Sequence, residues 1–146
     1  MDATRQRRLL IAGYVFAGGS AIHMVDHLRR GQTSITAELN YLGTLGIVIQ
    51  VAVITLILTR HRIAPLAAVA AGFPLAVSFF AVHWLPHWSV LSDPLSKIHP
   101  GGWFSYIAST LEIVGALAIA VAGLAIVRAE GLASFGRSRT TSHLPV

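Results

Sequence analysis

Four long apolar runs, separated by short polar segments, dominate this chain: about 9–25, 41–59, 63–85 and 103–127. Each is close to the ~20 residues that a helix needs to cross ~30 Å of hydrocarbon. Strands are a poor alternative, because in lipid every backbone N–H and C=O must pair within the protein, and these runs are too long for single barrel strands. The pattern therefore predicts an all-α fold: a four-helix transmembrane bundle with up-down topology. The helices are expected at about 9–28, 36–59, 63–85 and 103–128, forming one membrane domain over 1–129. From 130 to 146 the chain is rich in Ser, Thr, Arg and Gly, the composition of a disordered tail.

The connecting segments carry their own signals. Thr33, Ser34 and Thr36 are candidate caps for the second helix. Gly43, Gly46 and Gln50 share one of its faces, where small residues admit a close neighbour and Gln can bond across helices. Pro65 suits the first turn of the third helix, and Pro74 lies within it. Between the third and fourth helices, Trp84, Trp88, Leu91, Leu95 and Ile98 form an apolar stripe. Asp93-Pro94 reads as an N-cap followed by Pro at the first helical position, so a short interfacial helix is expected there.

Charge supplies the orientation. With both termini in the cytoplasm, Arg5, Arg7, Arg8, Arg60, Arg62, Arg128, Arg137 and Arg139 lie inside, and only Arg29, Arg30 and Lys97 lie outside. That distribution follows the positive-inside rule. It also accounts for most of the net charge of +5 without invoking nucleic acid as a partner. Trp84, Trp88, Trp103 and Tyr106 then gather at the outer interface, where amphipathic rings settle. A cleaved signal peptide ending at the small residues Gly18 to Ala21 is the competing reading, but the apolar character runs on to Val25. The expected location is the cell membrane, multi-pass, with the lipid bilayer as the surrounding partner. Only 12% of residues are charged, against about 25% in an average soluble domain. The absence of Cys excludes disulfides and thiolate metal sites.

The candidate chemistry sits at the outer ends of the helices. His23 and His27 are four residues apart, ~400° around a helix, so they stack on one face. That is ligand spacing for Zn, Cu or Fe. Asp26 between them is a candidate catalytic carboxylate or third ligand, although a plain ion pair with Arg29 or Arg30 would also explain it. His83 and His87 repeat the spacing after the third run, with Pro86 interrupting. The four candidate metal ligands are thus His23, His27, His83 and His87. Nitrogens opposed across the bundle should approach to within ~4 Å if they share an ion. Glu112 lies near mid-membrane on a stripe with Ser105 and Ser109, and it needs a partner such as His23, His83 or Gln50. It is the second candidate catalytic residue. Asp93 and His99 could reach the same mouth from the loop, whereas His61 and His143 lie on the other side.

These residues support several functions. One is a divalent transition metal centre (Zn, Cu or Fe) with a hydrolytic or redox role. Another is a non-catalytic accessory subunit of a larger membrane complex, or a homo-oligomer, whose polar groups hold helices together. A b-type haem between the first and third helices and a proton-coupled small transporter using Glu112 are further alternatives. The His boxes of membrane hydroxylases and desaturases are not matched: the chain has no His-His dipeptide. No phosphate-binding glycine loop or nucleophile elbow is present.

Overall fold

The computed structural model describes residues 2–31, 35–98 and 102–136. They are all-helical apart from turns and loops: α1 (Ala3–Arg30), α2 (Ala37–Leu58), α3 (Ala64–His83), α4 (Gly102–Glu130) and a four-residue α5 (Ala133–Gly136). The first four are long and apolar enough to cross a membrane.

Helix α1 starts six residues before the expected position. Asp2 caps it, its carboxylate accepting from the Thr4 N–H at 3.1 Å, and the helix-favouring Arg5, Gln6, Arg7 and Arg8 continue the turn. The helix stops at Gly31, whose φ of 80° is open to glycine. Among the expected caps of α2, Thr36 serves: its hydroxyl accepts from the Leu39 N–H. Thr33 and Ser34 lie outside the described residues. Pro65 occupies the first turn of α3 as expected.

The ends of α1 and α3 meet the starts of α2 and α4 at one end of the bundle. Asp26 bonds Ser105, His23 meets Glu112 and His83, and Thr36 donates to the Val90 carbonyl. Consecutive helices therefore run antiparallel, an up-down arrangement. Helix α4 is the hub, packed along its length against α1 and α3. Its approach to both depends on glycine. A Cβ on Gly19 would lie 2.7 Å from the Leu111 carbonyl oxygen, and one on Gly115 would lie 2.6 Å from Phe16 Cα. Gly72 and Gly123 make the equivalent approach between α3 and α4. Backbones this close leave short polar side chains able to bridge the helices. The face of α2 read as the close-approach surface behaves differently: Gly43 and Gly46 face open space, and only Gln50 is buried. Small residues permit contact but do not choose the partner.

The fully buried core holds Phe16, Ile57, Ala68, Ala116, Ile119 and Ile126. Outward positions are also apolar, among them Val48, Val51, Val77, Val114 and Val121. A helix apolar all round is at home in lipid rather than in water. After Gly131, at φ 75°, the chain turns back and Phe135 packs onto this core. The part of the expected disordered tail from 137 onward lies outside the described residues.

The segment expected to form a short interfacial helix holds one 3₁₀ turn, Leu95–Lys97, whose N-cap is Pro94 and not Asp93. The loop before it folds over the end of the bundle. The Ser92 hydroxyl accepts from the Trp88 and Ser89 N–H groups, the Asp93 N–H donates to Val82, and Leu95 is buried. Asp93 does not cap a helix because its carboxylate is drawn inward to an arginine of α1.

Candidate metal centre

The last two turns of α1 stay helical, so His23 and His27 keep their i, i+4 stacking. His83 arrives from the last turn of α3. Ring centroids are 4.6 Å apart for His23 and His27, 4.8 Å for His23 and His83, and 5.8 Å for His27 and His83. One nitrogen from each ring lies within 4.8 Å of the others. Ligand nitrogens on a tetrahedral ion are about 3.3 Å apart, given bonds of ~2.0–2.1 Å. At up to 4.8 Å the group is thus slightly wider than a loaded site.

Hydrogen-bond polarity settles which nitrogens face the group. A carbonyl oxygen only accepts, so His83 Nδ1 donates to the Asp93 carbonyl at 3.1 Å. Its proton sits on Nδ1, and Nε2 keeps its lone pair. His23 Nδ1 lies 3.3 Å from Glu112 Oε2, both side chains being almost fully buried. Its Nε2 points to His27 Nε2 at 2.8 Å. Glu112 lies ten residues into α4, about 15 Å along the axis. Ser20 and Gln50 adjoin its carboxyl. Ser109, next on the same stripe, is fully buried.

A second cluster sits directly above. Asp26 is 1% exposed. Its Oδ1 accepts from Arg29 Nη2 at 2.8 Å and from the Ser105 hydroxyl at 2.9 Å, and its Oδ2 lies 3.0 Å from Arg30 Nε. Arg30 reaches onward to Asp93 Oδ2 at 2.8 Å, and its Nη2 lies 3.3 Å from His27 Nδ1. The Arg29 guanidinium also covers the Phe104 ring. Two carboxylates and two guanidiniums balance in charge and tie α1 to α4 and to the α3–α4 loop.

The structure therefore brings together His23, His27 and His83, with Glu112 against His23. It does not bring His87 into the group. Helix α3 ends at His83, Trp84 caps it, and His87 follows Pro86 onto an exposed stretch of the loop. Proline disfavours helix at the preceding residue, and this breaks the i, i+4 spacing. Asp26 faces arginines rather than the histidines, so the ion-pair reading describes its contacts. His61 is exposed at the opposite end, and His99 and His143 lie outside the described residues.

In the sequence Arg30 stands out only as a partner for Asp26, not as a link between helices. Arginine at the end of a membrane helix is ordinary, and only folding turns its side chain inward between two carboxylates. The one signal is the Asp26-to-Arg30 spacing of four, which permits a pair on the same helix. Its link to Asp93 crosses 63 positions and has no local trace. No protein-family model, curated protein or solved structure matches the chain.

Proposed function

We propose that this chain is a multi-pass membrane protein that binds a divalent transition metal ion at the His23, His27 and His83 group. The observation that carries the reading is the convergence of three imidazoles from two helices within 4.8 Å. Two of the rings have the partners that ligand histidines have elsewhere: His83 donates to a carbonyl, and His23 faces a carboxylate. An all-nitrogen set with carboxylate support suits Zn, Cu or Fe better than the hard ions Mg and Ca. Such an ion would hold water or a small oxygen ligand in its open positions, for hydrolysis or for redox chemistry. A b-type haem fits less well. Rings 4.8 Å apart at their centroids leave no slot for a porphyrin between them.

Elemental analysis of the full chain purified in mild detergent is the test. About one Zn, Cu or Fe per chain, retained through gel filtration, is expected. Metal-free protein that also fails to take up added Zn²⁺ or Cu²⁺ would end the reading.

A second reading has one observation in its favour. Between Asn40 and Ile49, α2 is exposed almost throughout, and Gly43 and Gly46 offer a surface on which another helix could lie closely. That favours a subunit of a larger assembly, and a stoichiometric companion in the same purification would support it.

The orientation follows from the arginine distribution: the histidine end faces outward and both termini lie in the cytoplasm. The chain lacks Cys, so single introduced thiols report cleanly. Ser96→Cys, on the exposed part of the α3–α4 loop, is expected to react with an impermeant maleimide on intact cells, and His61→Cys to react only after lysis. The opposite labelling would invert the bundle.

A further inference from the structure

We propose that His27 is a hydrogen-bond donor to a small anion carried by the metal, and not a third metal ligand, because Arg30 holds its ring the other way round. The proposal rests on the metal reading and assigns the remaining role in that site. A guanidinium has donors and no acceptor, so Nδ1 of His27, 3.3 Å from Arg30 Nη2, has to accept. A neutral imidazole that accepts at Nδ1 carries its proton on Nε2. That N–H points at His23 Nε2, 2.8 Å away. The chain of donors therefore runs one way: Arg30 to His27, and His27 to His23, which presents its Nδ1–H toward Glu112.

A metal ion takes up the lone pair of His23 Nε2, the atom that now accepts from His27. His83 Nε2 is equally suited, with its proton held on Nδ1 by the Asp93 carbonyl. His27 is not. To ligate through Nε2 it would carry its proton on Nδ1, against a guanidinium. Arg30 cannot easily leave, because its side chain is 6% exposed and is held by Asp26 at 3.0 Å and Asp93 at 2.8 Å. Once the ion occupies His23 Nε2, the His27 N–H is left beside the metal and needs a new acceptor. A metal-bound hydroxide, carboxylate or other small anion supplies one, a bond or two from the atom His27 now faces. The cationic Arg30 behind the ring strengthens the donor. The ligand class implied is thus a small anion bound end-on to an ion held by His23 and His83.

The test uses the purified full chain, Cu²⁺ as the metal and azide as the anion. Electron spin-echo spectroscopy with ¹⁵N-histidine labelling counts the imidazoles on Cu²⁺. Two are expected in the wild type and in His27→Ala. Arg30→Gln removes the guanidinium donor and offers a carbonyl that can accept from Nδ1–H, so three are expected there. His27→Ala should retain Cu²⁺ and weaken azide binding about tenfold, the loss of one hydrogen bond to a charged partner. Three imidazoles in the wild type, or loss of Cu²⁺ in His27→Ala to the extent seen in His23→Ala, would overturn the proposal and leave the metal reading intact. Failure of wild type and Arg30→Gln alike to bind Cu²⁺ would end both. If Arg30→Gln does not fold, the wild-type count and His27→Ala still decide.

Discussion

Replacing Asp26 with Ala is expected to cost about 3–5 kcal/mol of stability, the loss seen when one partner of a buried ion pair is removed. The reason lies in what remains. Arg30, almost fully buried, would keep Asp93 but lose the carboxylate against its Nε, and the Ser105 hydroxyl would lose its acceptor. Arg29 adds little to this figure, because its side chain is 41% exposed and can turn to water or to lipid headgroups. Folded proteins are stable by only about 5–15 kcal/mol, so the variant should lose much of its margin. Asp26→Asn keeps the shape and a hydrogen-bond acceptor, and it should fall between the two. Thermal unfolding in detergent, followed by circular dichroism and by gel-filtration recovery, measures the series. An Asp26→Ala protein that melts with the wild type would show that the cluster is not the fastening described.

His23→Ala and His83→Ala should lower metal affinity by two orders of magnitude or more while leaving the helices intact. Removing a group that merely orients a ligand costs about 10–100-fold, and removing the ligand itself should cost at least that. Glu112→Gln provides the intermediate value. It preserves the size of the side chain but weakens the acceptor facing His23 Nδ1, so a 10–100-fold loss is expected. His61→Ala, at the far end of the bundle, should bind as the wild type does. Titration of metal-stripped protein with Zn²⁺ or Cu²⁺ gives the order. Fold should survive in the His23 variant because the core of Phe16, Ile119 and Ile126 lies elsewhere and is apolar. If His23→Ala bound metal as tightly as the wild type, the three-imidazole group would be a packing feature, and the subunit reading would take its place.

The sequence by itself determined the architecture. Twenty-odd apolar residues in a row admit one economical backbone solution in lipid, and four such runs with short connections make an up-down bundle. It also determined that His23 and His27 share a face, since that follows from helix geometry alone. The need of Glu112 for a partner was legible for a similar reason: a carboxylate midway along a helix this apolar is too costly to leave alone. Tertiary structure decided the rest. Whether Gly43 and Gly46 or Gly19 and Gly115 meet a neighbour depends on which helix lies opposite, and no local pattern carries that. His87 separates from His83 because the helix ends before Pro86, so a spacing of four stops meaning a shared face. Asp93 turns to Arg30 rather than capping a helix, because a buried guanidinium needs a carboxylate more than a single 3₁₀ turn needs a cap. The orientation of the His27 ring depends on that same arginine. The ring's own partners, His23 and Arg30, lie on the same helix, but Arg30 is held inward by Asp93 of the α3–α4 loop, and that contact forms only when the chain folds.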